Sequence, residues 1–205
     1  MTYNSFYNQW NHLACFSTAQ VRAIHPDFPR GNYLRWQKAG YIVPLRQGWY
    51  AFADYVNKPD SARYIASKIY TPSYISLHTA LSFYGIIPEA VVAITSITTR
   101  KTAQFENVFA SYSYQTIKPS LFWGYEPKQL SDGKTYLLAT PEKALIDLLY
   151  LYPQYSTEEE MRELRLDEDF MQNELDQERL AEYTNRIGST ILTKRAKLML
   201  NTYGI

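Results

Sequence analysis

The chain has 205 residues, 46% of them apolar, and one cysteine, Cys15. That content supports a buried core and allows no internal disulfide, so a disordered chain and a disulfide-stapled secreted scaffold are both excluded. The formal net charge is +1, but it is unevenly spread: residues 1–58 carry +4, residues 59–155 carry +1 and residues 156–205 carry −4, so the two ends are expected to meet different partners.

The opening segment, MTYNSFYNQWNHLACF, has no basic start followed by an apolar stretch, and it is not expected to be a secretory leader. No run of about 18 apolar residues exists to span a bilayer. A cytoplasmic protein with no membrane partner is the expectation, and a lone cysteine suits that reducing compartment. Phe6, Trp10 and Leu13 are spaced four and three apart and predict a first helix over 3–13. Cys15 falls in the same apolar pattern and is assigned to the core. Ser17 with Gln20 is a capping box that opens a second helix, running to about Ile24. His25-Pro26-Asp27-Phe28-Pro29 must break it, because proline fixes φ and disfavours helix in the residue before it. A third helix is predicted over 31–39, closed by Gly40. The segment YIVPLRQGWYAF then reads as two short strands turned at Arg46-Gln47-Gly48, with Gly48 supplying a positive φ. Three short helices followed by a glycine-turned ribbon, in basic sequence, make up the plan of a winged helix-turn-helix over residues 1–58.

A second unit is expected over 59–205. Residues 60–69 and 73–84 predict helices, the second ended by Gly85. Residues 91–99, 105–114, 120–125 and 135–139 predict strands. Thr140-Pro141-Glu142 opens an apolar, buried helix: Thr caps, Pro fills the first position and Glu faces the positive helix end. From Ser156, paired with Glu159 as a second capping box, the chain is acidic and helical, and 190–200 form a final amphipathic helix. The expected fold class is α+β: a winged helix-turn-helix followed by a mixed α/β domain with a helical tail. Because 60–205 hold their own apolar helices and strands, that part is expected to fold alone.

Enzymatic motifs are absent. There is no phosphate-binding G-x-x-x-x-G-K-[ST], no G-x-G-x-x-G, and no G-x-S-x-G elbow. His12, His25 and His78 are scattered, without metal-ligand spacing. The chain is therefore expected to be a non-enzymatic regulator with no cofactor and no metal. The positive signal lies in the first part. DNA is a dense line of negative charge and calls for Lys and Arg. Arg30, Asn32, Arg35 and Lys38 lie at or on the third helix, the major-groove reader of this architecture. Tyr33 and Trp36 are assigned to its buried side, which turns Asn32, Arg35 and Lys38 outward. Arg46 and Gln47 sit at the wing tip. Thr18, Gln20 and Arg22 begin the second helix, whose N-terminus is a candidate phosphate seat. Arg100 and Lys101 form a possible second basic patch.

The fragments FSTAQVRAI, YLRWQKAGYIVPLRQGWYAF, SYISLHTALSFYGIIPE and TPEKALIDLLY occur in consistent order. Together they resemble the antitoxins of type IV toxin–antitoxin pairs, the abortive-infection E (AbiEi) family, over about residues 5–150. The resemblance implies a bifunctional protein. Its winged helix would bind inverted repeats in its own promoter and repress the operon. Its second domain would counter a nucleotidyltransferase-like toxin without a stable complex. The promoter-reading role would fall on Asn32, Arg35, Lys38, Arg46 and Gln47. One departure is the acidic C-terminal tail: only Arg100, Lys101, Lys118 and Lys128 could give the second domain a basic face. The alternative is a stand-alone winged-helix regulator whose second domain senses a ligand or partner.

Overall fold

Ser17 and Gln20 cap each other reciprocally. The Ser17 hydroxyl accepts from the Gln20 N–H at 3.1 Å and the Gln20 side chain accepts from the Ser17 N–H at 2.7 Å. This opens α2 (Thr18–Ile24) as its capping box predicts. The computed structural model describes residues 1–89 and 91–205. Before α2, α1 (Tyr3–Trp10) passes into a 3-10 turn over Asn11–Leu13, so the first helix is shorter than its apolar spacing implies. Ala14, at φ 59°, then turns the chain into β1 (Cys15–Ser17), which places Cys15 in a strand and not in a helix. α3 spans Gly31–Lys38. β2 (Ile42–Arg46) and β3 (Trp49–Phe52) form the expected hairpin, with Gly48 at φ 74°. β1 joins its far side to make an antiparallel sheet in the order β1-β3-β2.

Successive side chains on a strand point to opposite faces, and this small sheet is covered on both. Phe16, Ile42 and Phe52 face the helices and join Phe6, Trp10, Val21, Tyr33 and Trp36 in a core made mostly of rings. Cys15, Leu45 and Ala51 face the other way, into a larger core that continues through Tyr55, Tyr64 and Tyr114 into the rest of the chain. Burial there pushes the Cys15 thiol up to about 12. The packing therefore does not divide at residue 58. Tyr64 donates across it to the Leu13 carbonyl at 3.1 Å, and Asn107 donates to the Leu45 carbonyl at 3.2 Å.

α4 (Ser61–Ile69) leads into β4 (Ser73–Ile75). The helix predicted over 73–84 begins only at Leu77, as α5 (Leu77–Phe83). Residues 73–75 are drawn into a sheet instead, paired antiparallel with β5 (Ala93–Thr98) and parallel with β9 (Thr135–Ala139). Tyr74 and Ile75 are β-favouring and fit that buried slot better than a helix face. The sheet is completed by β6 (Ala103–Glu106), β7 (Ser111–Thr116) and β8 (Tyr125–Gln129), in the order β6-β7-β5-β4-β9-β8. The strand expected at 120–125 is displaced: Pro119–Leu121 form a 3-10 turn and β8 starts at Tyr125. Pro127 is tolerated in β8 because this strand is an edge.

α6 (Pro141–Leu151) is capped by Thr140 as predicted. Within it Lys143 and Asp147, one turn apart, are buried and form an ion pair. The Asp147 carboxylate also accepts from the Tyr74 and Ser76 hydroxyls, each at 2.8 Å. α7 (Glu158–Arg162) is opened by Thr157 with Glu160, one residue later than the expected Ser156–Glu159 box, and Ser156 donates to the same Glu160 carboxylate. α8 (Gln177–Ile187) and α9 (Thr190–Thr202) follow. Arg195 of α9 donates to the carbonyls of Leu149, Tyr152 and Tyr155. These lie in and just beyond the last turn of α6, where helix carbonyls lack partners of their own. The architecture is mixed α+β, and no helix among the described residues is long and apolar enough to cross a membrane.

Candidate nucleic-acid interface

α3 turns Asn32, Tyr33 and Trp36 inward. At about 100° per residue, the side opposite those three is centred on Leu34 and Lys38, with Gly31 one turn earlier. Arg35 and Gln37 flank that stripe, and Arg30 precedes the helix; all of them are exposed. Leu34 is 57% exposed, as are other large apolar side chains such as Ile24, Val108 and Ile191, but it alone of these stands on α3 among basic neighbours. Neither α2 nor α3 contains an acidic residue.

An open groove of about 330 Å³ runs between α2, α3 and β3, lined by Thr18, Arg22, Arg30, Leu34, Gln37 and the stacked pair Tyr33–Tyr50. The two rings lie 5.3 Å apart and 9° from parallel. Burial pushes the Tyr33 hydroxyl up to about 12, above an ordinary value at which it is already neutral, so it brings no negative charge to the groove. The fold thus gathers Thr18, Arg22 and Arg30, as the sequence suggests, and adds Gln37, Leu34 and Tyr50, which were not singled out there. The helical spacing that buries Tyr33 and Trp36 also turns Leu34 outward, a signal carried by its position and not by its charge.

Three expected contacts are corrected. Asn32 is only 7% exposed, and its Oδ1 accepts from Arg35 at 2.9 Å. It therefore orients Arg35 and does not face outward. Arg46 is half-buried and turned away from the hairpin tip: it donates to the Ile69 carbonyl at 2.8 Å and lies over Phe105, 4.5 Å from the ring centre. The desolvated aromatic surface of the second unit holds its flat guanidinium there. At the start of α2 the Thr18 N–H is taken by the Gly48 carbonyl at 2.8 Å and the Gln20 N–H by Ser17, so these two donors are not open to a phosphate. Gln20 remains exposed, with its amide oxygen engaged in that cap. Gln47 is exposed at the turn.

Arg100 and Lys101 follow β5. The Arg100 guanidinium lies 4.4 Å over the Tyr70 ring, and Arg46 lies 5.4 Å from the same ring. Tyr70 thus lies against both Arg46 and Arg100, while Lys101 stays exposed.

No group of three or more His, Cys, Asp or Glu among the described residues is placed to hold a metal ion. His78 lines a separate cavity of about 360 Å³ with Leu81, Ile87, Leu148, Tyr155 and Glu163. Burial lowers its pKa. No protein-family model matches this chain, and no curated protein matches it.

Proposed function

We propose that this protein is a sequence-specific double-stranded DNA-binding repressor that inserts α3 into the major groove, with the β2–β3 hairpin as the wing of a winged helix-turn-helix. The observation that carries this is the outer surface of α2 and α3. Arg22, Arg30, Arg35 and Lys38 are exposed there, none forms an ion pair among the described residues, and no carboxylate interrupts them within either helix. Unpaired basic charge on a rigid helix suits a polyanion. The ring-filled core beneath keeps α3 fixed, so that register along the DNA is defined. Binding to duplex DNA from upstream of the gene, measured by electrophoretic titration against unrelated duplex, tests this. Preference for the upstream DNA supports the proposal, and equal or absent binding rejects it.

The resemblance to the AbiEi antitoxins extends the proposal: the repressed operon would include a nucleotidyltransferase-like toxin that the second unit counters without a stable complex. Co-expression of the full chain with a neighbouring toxin tests that extension by cell survival. The cavity at His78 favours a second reading, a stand-alone regulator that senses a small ligand. Its volume falls within the range of small-molecule sites and its walls are mostly apolar.

A further inference from the structure

α3 presents an apolar side chain where a DNA reader normally presents donors. Leu34 is 57% exposed and lies opposite Tyr33 and Trp36 on the helix. Its neighbours on that face are Gly31, one turn before, and Lys38, one turn after. It also lines the groove with Arg30 and Gln37. Fold stability does not call for a leucine here, since more than half of its surface is left in water. Gly31 has no packing reason either: nothing lies within 4 Å of the Cβ it lacks, and it is not among the glycines of positive φ. Its bare backbone leaves the outer face of the first turn unobstructed, so that a base edge can approach closely.

We propose that Gly31, Leu34 and Lys38 form the base-reading stripe of α3 and that Leu34 packs against the C5 methyl of a thymine. This rests on the DNA-binding proposal above. The major groove exposes one apolar group, the thymine methyl, and a leucine flanked by basic side chains has that group as its natural partner. Lys38 lies one turn on, where it meets a phosphate or a guanine edge. Gln37, on the groove side, can take an adenine edge through its amide. The preferred sequence therefore contains a fixed thymine whose methyl is read.

The test uses the full chain. A preferred site is first selected from a random duplex library. Each thymine in it is then replaced singly by deoxyuridine, which removes only the methyl. Affinities are measured for the unaltered protein and for Leu34→Ala, with circular dichroism as a fold check. At one thymine the unaltered protein should lose about fourfold in affinity, the ratio given by about 0.8 kcal/mol for one buried methyl. Leu34→Ala should be weaker on the thymine site and indifferent to deoxyuridine at that position alone, the signature of coupled groups. Leu34→Met, still apolar, should restore part of the discrimination. The proposal is overturned if no thymine methyl matters to the unaltered protein. It is equally overturned if Leu34→Ala keeps the full deoxyuridine penalty, or if it changes only the oligomeric state in sedimentation. Failure to enrich any site would overturn the DNA-binding proposal itself, and this one with it.

Discussion

Arg22, Arg30, Arg35 and Lys38 stand in water on α2, α3 and the turn between them, without ion pairs among the described residues, whereas Glu142, Lys143, Asp147 and Arg195 are buried in the second unit. Each of the buried four has a partner. Lys143 meets Asp147; Asp147 is further held by Tyr74 and Ser76; Glu142 accepts from the Asp176 N–H at 3.3 Å; Arg195 binds three carbonyls. A buried charge must be satisfied or it destabilises the fold. An exposed one is nearly neutral for stability and remains free for a ligand. The two regions thus hold the same residue types in opposite settings, and a count of charges along the chain cannot distinguish them.

Removing a partner should separate the two regions most sharply. Asp147→Asn leaves the Lys143 ammonium buried without a counter-charge, a loss of about 3–5 kcal/mol. For a chain of this length that lowers the melting temperature by on the order of 10 °C, read by circular dichroism. A change of only a degree or two would mean that the pair is solvated. Arg195→Lys keeps the charge but cannot reach all three carbonyls with one ammonium. It should lose about 1.5–3 kcal/mol, the value of hydrogen bonds to a charged group, in the same measurement.

Gly48→Val acts beside the first region, at the turn that meets the start of α2. Its φ of 74° is unfavourable for a β-branched residue, and the added Cβ would lie 3.2 Å from the Thr18 hydroxyl oxygen. Strain of about 1–3 kcal/mol is expected. DNA affinity should fall by more than the stability loss explains, because the hairpin turn and the start of α2 are displaced together. Normal affinity in the folded fraction would remove the wing from the interface.

The smallest effect is at His78. Burial lowers its folded pKa below the ordinary 6.5. The unfolded chain therefore takes up a proton there first, and stability is lost as pH falls below about 6.5. His78→Asn should flatten that acid-side decline in melting temperature between pH 7.5 and pH 5. An unchanged slope would assign the decline to other groups.

Features decided within a few residues were legible beforehand. The Ser17–Gln20 cap, the Thr140-Pro141 helix start, the Gly48 turn and the Tyr33–Trp36 buried face all follow from local chemistry and period. Features decided by distant partners were not. Residues 73–75 carry a helical spacing, but β5 and β9 capture them as a strand. Arg46 reads as a free residue at the hairpin tip because Ile69, Tyr70 and Phe105 are far along the chain. Asn32 reads as outward by residue type, but its position next to Tyr33 places it at the edge of the buried side. The division at residue 58 followed a break in composition, yet Cys15, Leu45 and Ala51 pack beyond it. A fragment starting near residue 60 would leave the partners of that sheet face uncovered, so it should be less stable than the full chain.

The central claim is that the exposed charges of α3 and its entry turn meet DNA. The salt dependence of full-chain binding to its preferred duplex tests it most directly. The logarithm of the binding constant should fall linearly with the logarithm of salt concentration, and Arg30→Ala and Lys38→Ala should each reduce that slope by about one unit. Both variants should melt within about 0.5 kcal/mol of the unaltered chain. Slopes unchanged in both variants, with affinity retained, would contradict the account and place the DNA, if it binds at all, on another surface.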